Sequence, residues 1–283
     1  MKHKIHTLFL IPSIIFLLTM AIYPLGFNIY ISLHNWDLQS GEIHFVGSAQ
    51  YAKLLSDARF LNALRNTLTF VIVAVTLELV IGLGYALVLN REIRGKRIFR
   101  TVFLLPMMLT PIVIGYIFMM LYHGDVGVIN HMLNMIGLPK VNWLGSTSMS
   151  LLSAILVDVW QYSSLMILIL LAGLQTLPVD CFEAAEVDGA SRWRSFRDLT
   201  LPLMKPIIAV AVLIRSVDAF KIFDIIYILT EGGPGTSSEP ISMYAIWEGF
   251  RYFNIGYGAA IAMTLVLMTA MVTSQLLRRL RWR

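Results

Sequence analysis

Long apolar segments alternate with shorter polar ones along the whole chain. Each is close to the roughly 20 residues that a helix needs to cross the hydrocarbon core of a bilayer, so the pattern predicts six membrane-spanning helices. The predicted spans are 8–33, 67–89, 101–122, 150–174, 207–229 and 255–277. The first is longer than the roughly 7–15-residue apolar core of a signal peptide and precedes no small-residue cleavage pattern, so we expect it to be retained.

Some residues inside these spans should shape helix packing. In the third span, Pro106 and Pro111 remove backbone donors and should bend the helix, so that neighbouring helices must satisfy the freed carbonyl groups. In the second span, Gly82 and Gly84 have no side chain and should allow another helix to approach closely. The polar connection 34–66 is expected to contain a short surface helix.

Composition supports an integral membrane protein. Of the 283 residues, 57% are hydrophobic and only 14% are charged, whereas a soluble domain has about 25% charged residues. The single cysteine, Cys181, excludes an internal disulfide and a site built from several cysteines. We expect Cys181 to be a small, buried apolar residue.

Lysine and arginine are distributed unequally between the two sides of the membrane. Fifteen of the 22 lie at the N-terminus, in the loops 90–100 and 175–205 and in the C-terminal tail, whereas five lie on the opposite side and two lie inside the fifth span. Because the positive side faces the cytoplasm, we predict an all-α protein with six transmembrane helices and cytoplasmic N- and C-termini. The net charge of +5 follows from these loops and does not indicate a nucleic-acid partner.

A charged segment, 175–205, separates the fourth and fifth spans and is predicted to form two short helices. Asp180 followed by Glu183 has the spacing of a capping box at the start of the first helix. Gly189 tolerates the left-handed backbone that often ends a helix, so we expect it to stop that helix.

The second short helix carries aromatic side chains, Trp193 and Phe196, on one side. Ser191 is expected to cap it, and Pro202 and Pro206 are expected to end it and to begin the fifth span. Exposed aromatic side chains in a cytoplasmic loop need a cover, which is either the lipid headgroups or a groove in a partner protein.

The same segment contains a spaced motif: E-A-A, three residues, Gly, nine residues and then hydrophobe-x-L-P. It is carried by Glu183, Ala184, Ala185, Gly189, Leu199, Leu201 and Pro202, and it is extended by Asp188, Ala190, Trp193 and Phe196. The motif resembles the cytoplasmic signature loop of binding-protein-dependent ABC importer permeases, and its extended form resembles the carbohydrate-uptake branch. Leu199 stands where that family more often has Ile, a change that keeps the apolar contact. The resemblance implies that these residues form a coupling helix, which docks into a cleft of an ATP-hydrolysing subunit.

The resemblance also implies a type I ABC importer permease fold and a set of partners. These are a second, homologous permease that forms a heterodimer with this chain, two copies of an ABC ATPase, an extracytoplasmic solute-binding protein and the lipid of the bacterial cytoplasmic (inner) membrane. ATP and Mg²⁺ would bind the partner ATPase, so we expect no cofactor here. The chain has no G-x-x-x-x-G-K-[ST] loop and no metal or hydrolase motif, which argues against an enzyme. We expect a division into residues 1–66 and a five-helix core, 67–283.

Four charged residues recur every three positions in the fifth span: Arg215, Asp218, Lys221 and Asp224. Three residues rotate a helix by about 300°, so the four form a slanted ladder in which neighbours of opposite charge can pair. A lone charge at mid-membrane costs about 3 kcal/mol or more, so the ladder should face protein or water and not lipid. It is either a packing contact between helices or a polar wall of the translocation path, and the sequence leaves both open.

Other polar and aromatic residues are candidates for the translocation path, since sugars bind to aromatic faces and to polar groups that pair with their hydroxyls. The complete set of path candidates is Asp158, Trp160, Gln161, Arg215, Asp218, Phe220, Lys221, Phe223, Asp224 and Tyr227. We place Trp160 in the path and Tyr162 in the interfacial aromatic belt. We interpret Glu78 as a packed or water-facing carboxylate and not as a proton carrier.

The resemblance extends beyond the fifth span. It places Gly232, Gly233 and Pro234 in a turn at the outer face, near the docking surface of the solute-binding protein. The implied substrate is a carbohydrate, but the resemblance does not select one sugar, nor does it say which of the two permeases contacts it. The alternative function is a secondary transporter driven by an ion gradient. Intramembrane acids suit that function, but the coupling motif and the lack of visible repeat halves oppose it.

Overall fold

The computed structural model describes residues 2–38, 41–91 and 94–281, so the last part of the basic tail lies outside the described residues. The helices are α1 (Lys2–Leu17), α2 (Tyr23–Ser32), α3 (Ala49–Ser56), α4 (Ala58–Leu89), α5 (Lys96–Leu104), α6 (Pro111–Leu121), α7 (Val128–Met135), α8 (Ser150–Leu174), α9 (Val179–Val187), α10 (Arg192–Ser195), α11 (Leu201–Ala219), α12 (Asp224–Thr230), α13 (Ile241–Ile246) and α14 (Ile255–Arg281). Single π-helical turns at Leu18–Ile22, Phe196–Thr200 and Trp247–Arg251, and a 3₁₀ turn at Leu105–Met108, adjoin them.

A short hairpin is the exception to the helical fold. Strands β1 (His34–Trp36) and β2 (Ile43–Phe45) pair antiparallel, with His34 opposite Phe45. Strands of three residues are too short to show a clear alternating pattern, which explains why the sequence does not predict them. The all-α prediction is confirmed apart from this hairpin, and α3 is the short surface helix expected in the connection.

The membrane spans agree with the predicted number. Within the described residues, five helical segments are long and apolar enough to cross a membrane: Leu10–Ser32, Ala58–Leu89, Ser150–Leu174, Arg192–Ala219 and Ile255–Arg278. A further span consists of two pieces, Lys96–Met108 and Pro111–Leu121, which are bent by 98° at a short break. The break contains Leu109 and lies between Pro106 and Pro111, as the loss of backbone donors at proline predicts.

The broken span is held by a side chain of α8. Gln161 donates a hydrogen bond from its amide nitrogen Nε2 to the carbonyl oxygen of Leu109, at 3.1 Å. A carbonyl without a donor is costly inside a membrane, so this bond satisfies a backbone group that has no helical partner where the span is broken. Gln161 therefore has a structural role, in keeping with its burial.

The start of the fifth span differs from the prediction. A continuous helical segment, Arg192–Ala219, carries the chain from the loop into the span, so Pro202 and Pro206 do not end a helix. The N–H of Leu201 bonds to the carbonyl of Phe196, five residues back, and this wider turn lies just before Pro202. In a regular α-helix the proline ring would clash with the carbonyl four residues back, and the π turn relieves that clash.

The end of the fifth span also differs from the prediction. Helix α11 stops at Ala219, ten residues short of the predicted end, and α12 begins only at Asp224. The four residues between them are not helical. This break interrupts the predicted ladder of charges between Lys221 and Asp224.

The described chain forms two compact units, one of residues up to 63 and 241–268, the other of residues 64–240 and from 269 onward. The expected division near residue 66 stays a prediction. Within the second unit, α8 is the central helix, since 67% of its most apolar stretch is buried. Ala154, Val157, Met166 and Leu170 are fully buried there.

Close packing of α4 against α8 depends on one glycine. A β-carbon placed on Gly82 would lie 2.5 Å from the β-carbon of Met166, whereas one placed on Gly84 would meet nothing within 4 Å. The expectation of close helix contact is therefore confirmed for Gly82 and wrong for Gly84.

In the first unit, Asp57 joins three segments of the chain. Its carboxylate accepts hydrogen bonds from the N–H groups of Arg59 and Phe60, and from the hydroxyls of Tyr244 (2.6 Å) and Tyr257 (2.5 Å). Burial alone would raise the pKa of Asp57, but the hydrogen bonds favour the charged form and bring its pKa below the ordinary value. The ionised carboxylate thus fixes the start of α4 to α13 and α14.

A matched pair of alanine substitutions tests the packing of α4. Gly82→Ala should lower the melting temperature in detergent, because overpacking typically costs about 1–3 kcal/mol. Gly84→Ala should leave the melting temperature unchanged or raise it, since alanine is the better helix former by about 1 kcal/mol. Equal effects of the two substitutions would contradict the close approach at Gly82.

Candidate functional site

A buried arginine links three membrane helices of the second unit. Arg215 on α11 is 1% exposed. Its Nε donates to Glu78 Oε2 on α4 at 2.7 Å, its Nη2 donates to Asp158 Oδ2 on α8, and its Nη1 donates to Asp218 Oδ2 at 3.4 Å. Each nitrogen of the guanidinium therefore has its own carboxylate.

The flat face of the same guanidinium is also covered. The ring of Tyr162 on α8 lies 4.1 Å from the central carbon of Arg215. A cation stacked on an aromatic ring gains electrostatic stabilisation, which is largest when both are removed from water. Tyr162 and Asp158 are four residues apart on α8, so they share one helix face and meet Arg215 together.

The predicted ladder of charges is confirmed in part. Arg215 pairs with Asp218, and Lys221 pairs with the other oxygen of Asp218 at 3.3 Å. No ion pair among the described residues joins Lys221 to Asp224, because the helix ends at Ala219 and Asp224 starts the next one. Charge spacing along one helix reveals partners three residues apart and misses the partners on α4 and α8.

A half-open cavity of about 210 Å³ lies beside the arginine. Its lining residues are Pro111, Asp158, Tyr162, Arg215, Asp218, Lys221, Ile222, Phe223, Asp224 and Ile225. Six of the predicted path candidates are among them: Asp158, Arg215, Asp218, Lys221, Phe223 and Asp224. The structure brings these six together around one space, although they come from three helices, α8, α11 and α12, and from the break between α11 and α12.

Other path candidates lie elsewhere. Trp160 is 46% exposed and packs edge-on against Phe118, with ring centres 5.3 Å apart. Phe220 is buried at the end of α11, and Tyr227 stacks on Phe223 at 5.3 Å. Tyr162, which we expected in the interfacial belt, lines the cavity, whereas Trp160, which we expected in the path, is not among the lining residues. Trp160 is two residues from Asp158, which turns it to another side of the helix.

The coupling segment forms the two predicted helices, with corrected boundaries. Helix α9 begins after Pro178, so Asp180 lies in its first turn and is not the cap. An acidic residue there still favours the positive end of the helix dipole. Gly189 ends the helix in the left-handed region at φ +74°, as predicted. The N–H of Ala190 bonds to the carbonyl of Ala185 at 2.9 Å, which is the hydrogen bond of a Schellman motif.

The second coupling helix has its predicted cap, since Ser191 Oγ accepts a hydrogen bond from the N–H of Arg194 at 3.3 Å. Its aromatic residues, Trp193 and Phe196, contact each other with ring centres 5.6 Å apart and help to line a cavity of about 800 Å³. This cavity also includes Phe182 on α9 and residues at the end of α4.

Much of the coupling segment is uncovered in this chain. Glu183, Ala184 and Gly189 are exposed, and Val187 at the end of α9 is 87% exposed. Cys181 is exposed as well, so the expectation that it is buried is wrong within this chain. Apolar surface of this kind at a loop marks a contact with a partner.

The turn after α12 is tightly held. Ser238 Oγ donates to the carbonyl of Gly233 at 2.8 Å, and the Gly233–Pro234 peptide bond is cis. Asn66 Nδ2 donates to the carbonyls of Thr236 and Glu239, so an amide from α4 fixes the loop that follows the turn. Gly232 is buried, whereas Gly233 and Pro234 are half-buried.

Comparison with known proteins identifies the family. Residues 78–280 match the family described as binding-protein-dependent transport system inner membrane component. The chain belongs to this permease family. Its six-span fold and its place as a multi-pass protein of the inner membrane, both expected from the sequence, are confirmed.

Individual relatives cover nearly the whole permease. It is 37% identical to the trehalose/maltose transport system permease protein MalF of Thermococcus litoralis, over 93% of this chain and 88% of that one. It is 36% identical to the sulfoquinovosyl glycerol transport system permease protein SmoG of Agrobacterium fabrum, over 97% and 89%. The trehalose transport system permease protein SugA of Mycobacterium tuberculosis is 35% identical, over 92% and 83%.

Solved structures support the same fold. The permease is similar to a chain in the crystal structure of a bacterial ABC transporter that imports the acidic polysaccharide alginate, with a TM-score of 0.86 over 99% of this chain and 96% of that one. The same kind of alginate transporter is also known in complex with a periplasmic protein, where the TM-score is 0.84 over 97% and 93%. The sequence identity is 22% in both cases, so the likeness shows the type I permease fold alone.

Removal of the buried guanidinium should destabilise the permease. Arg215→Met leaves Glu78 and Asp158 buried without a cation, so we expect a loss of about 3–5 kcal/mol, seen as lower membrane abundance and a lower melting temperature. Lys221→Met is the matched control, because Lys221 is 64% exposed and its pair with Asp218 should contribute less than about 1 kcal/mol.

A triple variant shows whether the stability loss of Arg215→Met comes from unpaired buried charges or from altered packing. Adding Glu78→Gln and Asp158→Asn to Arg215→Met removes the buried charges together, and most of the lost stability should return. A triple variant as unstable as the single Arg215→Met variant would show that packing, and not unpaired charge, causes the loss.

Proposed function

We propose that this chain is one transmembrane subunit of an ATP-driven, binding-protein-dependent sugar importer and forms half of its translocation path. The observation that carries the proposal is the exposed helix α9, which presents Glu183 and Ala184 and ends at Gly189 with the full coupling spacing. The related permeases for trehalose, maltose and sulfoquinovosyl glycerol support a carbohydrate as the substrate class.

The partners follow from this proposal. A second, homologous permease completes the path, two copies of an ABC ATPase bind and hydrolyse ATP with Mg²⁺, and an extracytoplasmic binding protein delivers the sugar near Gly232, Gly233 and Pro234. This chain then holds no cofactor and catalyses no reaction. The first span offers surface for lipid or for the second permease, since none of its most apolar stretch, within Leu10–Ser32, is buried in this chain.

The helix that leaves the coupling segment suggests how motion is transmitted. The continuous segment Arg192–Ala219 begins three residues after Gly189 and contains Arg215 near its other end. At about 1.5 Å per residue, Arg192 and Arg215 are about 35 Å apart along the helix. A push on α9 by an ATPase therefore reaches the buried charge cluster through a rigid element.

Transport follows as alternating access. ATP brings the two ATPases together, the coupling helices move with them, and the permease helices rock to open the path outward. Release of ADP reverses the motion and opens the path to the cytoplasm. Glu183 supplies a charge that a basic group in the ATPase cleft can pair with, while Ala184 and Ala185 allow close approach.

Bulk and charge placed in the coupling helix should uncouple transport. Gly189→Arg and Glu183→Lys should leave membrane abundance unchanged but abolish uptake and the stimulation of ATP hydrolysis by the binding protein, because both changes obstruct docking of the ATPase. The assay is uptake by proteoliposomes that contain the complete importer, with ATP enclosed.

Gly137→Arg is the matched control for this experiment. Like Gly189, Gly137 has a positive φ, +78°, and a β-carbon placed on either residue would meet nothing within 4 Å. Unlike Gly189, Gly137 lies in the loop between α7 and α8. Backbone strain is therefore equal in the two variants, and only Gly189→Arg should block uptake. Normal uptake by Gly189→Arg, or uptake driven by an ion gradient without ATP, would contradict the proposal.

A further inference from the structure

The proposed function does not determine whether the transported sugar is charged. The charged residues that line the cavity beside Arg215 are informative on this question. Arg215 is almost inaccessible to a ligand. Its three nitrogens donate to Glu78, Asp158 and Asp218, the ring of Tyr162 covers its face, and 1% of its surface is exposed. A substrate anion in the cavity therefore cannot reach this guanidinium.

The other cation of the cavity is neutralised as well. Lys221 lies 3.3 Å from Asp218, so one carboxylate is shared between Lys221 and Arg215. Asp224 lines the same cavity, and no ion pair involves it among the described residues. Among the described lining residues that a ligand can reach, two carboxylates, Asp218 and Asp224, thus face one cation, Lys221.

Two carboxylates of the wall are open to a ligand. Asp218 is 43% exposed and Asp224 is exposed, whereas Asp158 is fully buried. A carboxylate accepts hydrogen bonds and donates none. The wall is therefore suited to a ligand that donates hydrogen bonds, as a sugar hydroxyl does.

We infer that this cavity takes one ring of an uncharged, hydroxyl-rich sugar and disfavours sugars that carry a carboxylate, sulfonate or phosphate group. The inference rests on the proposed function. Hydroxyls can donate to Asp218 and Asp224, whereas an anion would be repelled by these two carboxylates. The volume of about 210 Å³ is below the roughly 300–1,000 Å³ of sites for drug-sized ligands, which suits a single ring.

Charged thiol reagents test the sign of the electrostatic potential inside the cavity, and this test needs no transported sugar. In the complete importer with Cys181→Ser, which removes the native cysteine, Ile222→Cys places a thiol in the cavity wall. We expect a trimethylammonium-bearing methanethiosulfonate to react about tenfold faster than the sulfonate-bearing one, after normalisation to a small free thiol. Adding Asp224→Asn should bring the ratio of the two normalised reaction rates, cationic over anionic reagent, closer to one.

A thiol outside the cavity gives the control. Met132→Cys, on the exposed side of α7, should react with the two reagents at similar normalised rates, with or without Asp224→Asn. Equal rates at Ile222→Cys, a faster anionic reagent, or no reaction with either reagent would overturn the inference.

Uptake by the same proteoliposomes tests the substrate class. The ratio of glucuronate to glucose uptake should rise by about threefold or more in Asp224→Asn relative to wild type, since one repulsive charge is removed. Wild type and Asp224→Asn receive sugar from the same binding protein, so the selectivity of the binding protein does not change the comparison of their uptake ratios. Asp125→Asn, in the loop before α7, should not change the ratio. If ATP drives no sugar uptake at all, the proposed function fails, while the reagent ratio still decides the charge of the cavity.

Discussion

A charge buried among membrane helices is the constraint on which the second unit depends. Arg215 is stable there because carboxylates on α4 and α8 and one on its own helix take up all of its nitrogens. Removing the guanidinium would leave Glu78 and Asp158 buried without a cation, a penalty of about 3–5 kcal/mol. The cluster therefore fixes the mutual position of three helices, and Gly82 permits the close approach of α4 to α8 that the cluster requires.

The same cluster lies between the cavity beside Arg215 and the helix that leads to segment 175–205. Helix α11 is continuous with the second coupling helix, so the arginine lies on the element that begins just after Gly189. The exposed apolar residues of α9 and the uncovered first span are surfaces that lipid or partner subunits must cover. Fold and proposed function thus agree: the helices of the second unit pack around α8, and the chain exposes the surfaces through which an assembly would act on it.

Much of this could be predicted from the sequence, because apolar length, loop charge and motif spacing are local signals. They predicted the spans, the proline break, the cap at Ser191 and the stop at Gly189. Contacts between helices carry no such signal: Glu78 and Asp158 were recognisable as acids within the membrane, but not as partners of Arg215. The π turn before Pro202 and the helix end at Ala219 depend on packing, which explains the errors at both ends of the fifth span. The position of Tyr162 in the cavity wall does have a local signal, since Asp158 and Tyr162 share a helix face by their four-residue spacing.

Site-specific photo-crosslinking within the complete importer tests the central claim most directly, namely that α9 is the contact for a separate ATPase. A photoreactive residue at Val187 should crosslink to the ATPase subunit, since this position is 87% exposed at the end of α9. The same residue at Val126, which is 80% exposed in the loop before α7, should not. A crosslink from Val126 but not from Val187, in an assembly that still transports, would contradict the account.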